Sequence, residues 1–213
     1  MKSKKIFLIR HGQTEYNKKG MVQGSGIDAP LNAKGRWQAE QFWEHYKDYP
    51  FEKVYTSALI RTHQTVARFI EKGIPHVEFE GLNEINWGTK EGKVTTTEDH
   101  DDYMKVTKAW QNGELHVMIE GGESPLDLKK KQEIVLDFIK NEEEAEHILI
   151  CMHGRAMRIL LCIMLECPIS EMDRFEHDNT ALYILNLKDG KFELEASCNM
   201  EHLAGKEYSE NNA

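Results

Sequence analysis

Two histidines stand directly after apolar runs and directly before glycines: His11 in Leu8-Ile9-Arg10-His11-Gly12, and His153 in Ile150-Cys151-Met152-His153-Gly154. An imidazole at the end of a buried strand can serve as nucleophile, base or ligand, and a glycine beside it lets the backbone approach a bound group closely. Arg10 precedes His11, and Arg61 falls in the first turn of a segment that reads as a helix after Val54-Tyr55-Thr56. Two arginines and two histidines are the groups that neutralise a phosphate dianion, because a guanidinium keeps its charge and its planar fork grips two oxygens. Each residue alone has a plainer reading. A histidine after a strand is commonly a structural hydrogen-bonder, and Arg61 alone is a solvated helix residue. No HxxxH or histidine–carboxylate spacing supports a metal at this pair. His45, His63, His100 and His202 fall on polar faces or in loops and read as surface residues.

The four residues meet only if strands and helices bring them together. Lys5 to Ile9 and His147 to Met152 are continuous in apolar residues, as the buried strands of a parallel sheet are. Val54 to Thr56 and Val77 to Phe79 predict two more strands. Ala39, Phe42, Trp43 and Tyr46 repeat at helical spacing after a loop over 20–31. A helix over 58–72 buries Leu59, Thr62, Val66, Phe69 and Ile70. Ser124-Pro125-Leu126-Asp127 opens another, with Ser as N-cap, Pro at the first position and Asp placed for a capping box. Residues 154–166 are apolar nearly all round, which predicts a buried helix. Segments 181–187 and 192–197 flank Asp189-Gly190 and predict a hairpin. The pattern is α/β: a three-layer α/β/α sandwich with a mostly parallel central sheet, in which ligands sit beyond the carboxyl ends of strands. Residues 85–122 are glycine-rich and irregular, and predict a partly helical insertion over the site, acting as a lid, with its helix near Tyr103 to Trp110.

With 213 residues and 40% hydrophobic content, one catalytic domain over 1–205 is expected, followed by a polar, disordered tail at 206–213. Arg10 ends the first apolar run early, so the N-terminus reads as a strand rather than a signal peptide, and a cytoplasmic protein is expected. No apolar stretch reaches membrane-spanning length. A net charge of −9 argues against a nucleic-acid partner, while a small anion responds only to its local pocket. The four cysteines lack CxxC spacing, and Cys151 and Cys162 read as small buried hydrophobes.

Together the motifs resemble the histidine phosphatase superfamily, with its phosphoglycerate-mutase-like fold. The resemblance runs through Leu8-Ile9-Arg10-His11-Gly12-Gln13-Thr14-Glu15-Tyr16-Asn17, then Gln23-Gly24 and Asp28-Ala29-Pro30-Leu31-Asn32. It returns at Thr56-Ser57-Ala58-Leu59-Ile60-Arg61-Thr62, at Leu82-Asn83-Glu84, at Gly122-Glu123-Ser124 and at Met152-His153-Gly154. It implies that His11 carries a phosphohistidine and that Arg10, Arg61 and His153 hold the phosphate oxygens. Asn17 would assist, with Gln23, Gly24 and Gly154 near the substrate. Glu84 would be the acid for the leaving oxygen, held protonated near neutral pH. No metal or other cofactor is implied, and the partner is a small phosphorylated metabolite; both monomer and homodimer are compatible.

Two departures from the family pattern stand out. One extra residue separates Gln23-Gly24 from Asp28, and Arg155 replaces the small residue that follows His-Gly in many relatives, so it either contacts phosphate or points to solvent. The block Asn83-Glu84-Ile85-Asn86-Trp87-Gly88 differs from that of glycolytic mutases. Lys90, Lys93, Lys105 and Lys108 are offset by Glu98, Asp99, Asp101 and Asp102. The reading is therefore a phosphomonoesterase, with a cofactor-dependent phosphoglycerate mutase as the alternative and a catalytically weak binding or scaffolding member as the second. Trp87, Tyr103 and Trp110 either line the pocket or form local core.

Overall fold

The computed structural model describes residues 3–93 and 97–209, the side chains of 97–100 excepted. Six strands form one sheet in the order β3-β2-β4-β1-β5-β6. These are β1 (Lys4–Arg10), β2 (Lys53–Thr56), β3 (His76–Glu78), β4 (His147–Met152), β5 (Leu182–Lys188) and β6 (Lys191–Asn199). The first four are mutually parallel, and β5 and β6 close one edge antiparallel. The sheet is thus mixed but mostly parallel, as expected.

Strand side chains alternate between faces, and each face recruits its own helices. Phe7 and Ile9 of β1 and Leu149 and Cys151 of β4 meet Phe42 of α2 (Ala33–Tyr46) and Val66 and Phe69 of α3 (Ile60–Glu71). Ile6, Leu8, Ile148 and Ile150 point the other way, onto Val135, Leu136 and Ile139 of α5 (Pro125–Asn141) and Ile159 and Leu160 of α6 (Gly154–Met164). That makes three layers. The capping box at Ser124 and Asp127 forms in both directions. A second one, unforeseen from the sequence, joins Thr14 and Asn17 and starts the one-turn helix α1 (Glu15–Lys18) on the His11 loop.

The remaining helix, α4 (Thr97–Gln111), begins within the polar stretch and not at Tyr103. Thr97-Glu98-Asp99-His100 holds no apolar residue and carries no helical periodicity, so only the later half of the helix is visible in the sequence. In the tail, the Tyr208 ring lies 5.8 Å from Trp37, and residues 210–213 fall outside the described residues. Among the described residues, no helix is long and apolar enough to cross a membrane.

Candidate active site

His11 leaves the sheet at the carboxyl end of β1, next to the carboxyl end of β4, to which its backbone N–H is bonded through Met152. Its Nδ1 lies 2.7 Å from the carbonyl oxygen of Gly12. A carbonyl only accepts, so Nδ1 carries the proton and Nε2 keeps its lone pair. Burial, then the charges of Arg61 and Arg10, hold this imidazole well below its ordinary pKa. The ring is neutral at physiological pH and keeps a lone pair on Nε2.

His153 is equally constrained. Arg61 Nε donates to its Nδ1 at 3.1 Å, and its Nε2 lies 2.8 Å from the Ser57 hydroxyl. The ring is therefore neutral, with the proton on Nε2, and burial followed by Arg61 again depresses its pKa. The His11 and His153 rings lie 5.1 Å apart. Arg61 also donates through Nη1 to the Ile27 carbonyl at 2.6 Å and through Nη2 to the Gly24 carbonyl at 3.3 Å. Two of its five N–H groups stay available. Burial lowers its pKa to about 10, which still leaves it charged.

Arg10 is the less satisfied arginine. Its Nη1 donates to the carbonyl of His177, while its Nε is shielded from solvent and has no partner among the described residues. Gln23 repeats the pattern: its Oε1 accepts from the Thr14 hydroxyl at 2.7 Å, and its buried Nε2 has no partner. A buried donor without an acceptor is costly, so two such donors on one cavity mark a place for an anion. Asn17 lines the same cavity. Its oxygen is committed to the Thr14 and Asn179 N–H groups, which leaves its amide nitrogen to face a ligand.

Glu84 reaches across to α6. Its Oε1 accepts from the backbone of Ile85 at 2.9 Å and of Ala156 at 2.8 Å, and its Oε2 accepts from Arg155 at 3.0 Å. The side chain thereby caps a helix whose N-cap residue, His153, supplies no cap of its own. The N–H groups at this helix start are thus partly taken by the Glu84 carboxyl group. Oε2 accepts one bond to Oε1's two and keeps the greater remaining acceptor capacity.

Arg10, Asn17, Gln23, Glu84 and Gly154 line a cavity of about 300 Å³. His11, Arg61 and His153 are not among its lining residues, and Gly24 contributes through its carbonyl bond to Arg61 rather than by lining the space. The glycines after the histidines also act differently from expectation. A Cβ at Gly12 would lie 2.6 Å from the Gly35 carbonyl oxygen, and one at Gly154 would lie 2.8 Å from the His177 ring and 3.3 Å from Arg10 Nε. Both are close approaches of protein to protein, and Gly154 lines the cavity as well.

Arg155 does not point to solvent. It is buried, and binds Asp173 Oδ1 at 2.5 Å and the Tyr103 hydroxyl at 2.9 Å while lining the cavity. Trp87 and Tyr103 line the cavity too, whereas Trp110 is core. Two residues near the site had no signal in the sequence. His177, held to about pKa 3 by burial and the charge of Arg10, lines the cavity from the loop before β5. Asn179, two residues on, bonds the His11 carbonyl at 3.0 Å.

Of the other histidines, His45 is exposed as expected and His63 is half-buried, while His202 departs from the surface reading. His202 is buried, 3.0 Å from the Thr180 hydroxyl, while the His100 side chain lies outside the described residues. His63, His76 and Glu78 form a potential metal-binding cluster, their ligand atoms within 4.8 Å of one another. Both Nε2 atoms already meet the Thr56 hydroxyl, at 3.1 and 2.8 Å, and His63 Nε2 also lies 2.9 Å from the Ser57 carbonyl. Hydrogen bonds thus already engage Nε2 of both imidazoles.

Comparison with known proteins agrees with this arrangement. Residues 6–200 match the histidine phosphatase superfamily (branch 1). The chain is 24% identical over 186 residues to phosphoserine phosphatase 1 of Hydrogenobacter thermophilus, covering 87% of each. It is 32% identical over 163 residues to the human 6-phosphofructo-2-kinase/fructose-2,6-bisphosphatase 4; that stretch is 76% of this chain and 33% of the bifunctional protein. Among solved structures, phosphoserine phosphatase from Entamoeba histolytica in complex with 3-phosphoglyceric acid superposes with a TM-score of 0.78. It is 28% identical, with 94% of this chain and 99% of that one covered.

Proposed function

The chain belongs to the histidine phosphatase superfamily, and from that premise we propose that it is a phosphomonoesterase hydrolysing a small phosphorylated metabolite through a phosphohistidine on His11. The observation that carries the reading is a neutral His11, its Nε2 lone pair free, next to an Arg10 whose buried Nε lacks a partner. A phosphate monoester is a dianion that repels nucleophiles until neutralised, and Arg10, Arg61, Asn17 and Gln23 supply the donors.

In the first step, Nε2 of His11 forms a bond to phosphorus as the ester P–O bond breaks, and protonated Glu84 delivers its proton from Oε2 to the leaving oxygen. The departing alcohol is neutral, and the phosphoryl group sits on an imidazolium whose Nδ1–H remains on the Gly12 carbonyl. In the second step, water attacks phosphorus and gives its proton to Glu84, the N–P bond breaks, and phosphate leaves with His11 and Glu84 restored. His153 acts mainly through Arg61, since both its nitrogens are engaged. The small-phosphoester activities named for the relatives support this substrate class.

The test is phosphate release from phosphoserine, phosphoglycerates, sugar phosphates, nucleotides and p-nitrophenyl phosphate, beside a coupled mutase assay. Phosphate release from at least one metabolite is expected, with acid-labile, alkali-stable label trapped on the wild type and none on His11→Ala. Isomerisation of 3-phosphoglycerate faster than phosphate release would replace the hydrolase reading with the mutase. An unaltered rate in His11→Ala would remove the mechanism.

A further inference from the structure

Arg155 is the second residue of α6, and its two halves face two different structures. Its backbone N–H holds Glu84 Oε2. Its side chain crosses to α4: Nη2 donates to the Tyr103 hydroxyl at 2.9 Å, and the guanidinium carbon lies 5.7 Å from the centroid of the Trp110 ring. Its Nη1 donates to Asp173 Oδ1 at 2.5 Å, in the 3-10 segment Ile169–Arg174. Asp173 also receives Arg158 Nη1 at 2.7 Å and, on Oδ2, Gln111 Nε2 at 3.0 Å. Gln111 is the last residue of α4.

Tyr103, Trp110 and Gln111 of α4 are therefore all tied to α6 through Arg155 and the carboxylate it shares. These ties are directional and partly charge-assisted, and the two made by Arg155 are partly buried, which strengthens them and fixes their geometry. Tyr103 is also a cavity wall, its ring 5.0 Å from that of Trp87, which is a wall as well. The Arg155 side chain thus holds the face of the cavity supplied by α4, in a position where a small residue could hold nothing.

We propose that Arg155 is a positioning residue that clamps α4 as a wall of the cavity the phosphate donors also line, and so determines which leaving groups the enzyme accepts. The inference rests on the cavity being the substrate site. The chemistry at His11 does not pass through the clamp, so its loss shows as poorer binding of the organic part of a substrate. A planar guanidinium serves Tyr103 and Asp173 together; a lysine ammonium, one point charge, serves one of them.

Two measurements test it on the full chain. Amide hydrogen exchange is independent of activity. Arg155→Ala and Tyr103→Phe should speed exchange within residues 103–111, by about tenfold or more for the first, while β1 and β4 keep their protection. Steady-state kinetics then compares p-nitrophenyl phosphate with the best aliphatic metabolite ester from the screen. Both variants should raise KM for the metabolite, about tenfold for Arg155→Ala, with kcat on p-nitrophenyl phosphate within about threefold of wild type. Arg155→Lys should recover only part of the loss, and Arg155→Ala/Tyr103→Phe should be less than additive. Unchanged exchange in α4, or an equal fall in kcat on both substrates with KM constant, overturns the clamp. Altered exchange in an enzyme that hydrolyses none of the esters leaves the clamp standing and defeats the phosphatase reading instead.

Discussion

Arg61 Nε donates to His153 Nδ1 at 3.1 Å, so a buried arginine is oriented by an imidazole that must stay neutral. The pair joins α3 to the end of β4. Removing the ring leaves a buried charged donor without its acceptor, which costs more than the bond itself contributed. His153→Ala is expected to lower kcat/KM by about 100-fold or more and to reduce thermal stability, read by steady-state kinetics and by calorimetry. His153→Asn, which can still accept from Arg61, should lose less of both.

Glu84 caps α6 and, in the proposed mechanism, is also the general acid; Glu84→Gln separates the two roles. The amide can still accept from Ile85 and Ala156 through its oxygen, but its NH2 then faces the Arg155 N–H, donor against donor. Turnover of alkyl phosphates, whose leaving groups need a proton, should fall by about 100-fold or more, and that of p-nitrophenyl phosphate far less. Equal losses on both substrates would show that Glu84 does not act as the general acid. A lower melting temperature should accompany the variant, reporting the weakened cap.

Asn179 donates through Nδ2 to both the His11 carbonyl at 3.0 Å and Asn17 Oδ1 at 3.2 Å. It orients Asn17 without standing in the reaction's path. Asn179→Ala should raise KM by about tenfold and leave kcat within about threefold; a fall in kcat alone would assign it a different role.

Acid sensitivity follows from the buried imidazoles. His11, His76, His153, His177 and His202 are all held below their ordinary value of 6.5, each chiefly by burial, with His202 at about 4 and His177 at about 3. An unfolded chain takes up protons at these groups as pH drops through 6.5, and the folded chain does not until lower pH. Their stabilisation is therefore complete above that value and is lost progressively as pH falls toward the folded-state values. Thermal unfolding at pH 5 should occur at least about 5 °C below that at pH 7.5. His202→Gln, which leaves the cavity untouched, should shrink the difference.

Much of this was legible in the sequence, for identifiable reasons. β1 and β4 are visible because a strand covered on both faces must be apolar throughout, and Ser124 to Asp127 because a capping box is local chemistry. His11, Arg61, Glu84 and His153 were readable only jointly, through the order of their motifs, and the structure does bring them together. What escaped detection depends on tertiary partners. Nothing local says that Arg155 meets Asp173 and Tyr103, that Glu84 caps α6, or that His202 is buried against Phe42, whose ring lies 5.4 Å away. His177 and Asn179 sit in a loop, where no periodicity marks a functional face.

The bond between His11 and the carbonyl of its own neighbour, Gly12, also decides an isomer. A phosphorylated imidazole exists in two regioisomers, and a ring whose near nitrogen is occupied within its own dipeptide can be modified only at the far one. The covalent intermediate should therefore be tele-phosphohistidine, distinguishable from the pros form by its ³¹P resonance and by isomer-selective antibodies. That selection is made by two adjacent residues, and it would survive changes to every wall of the pocket.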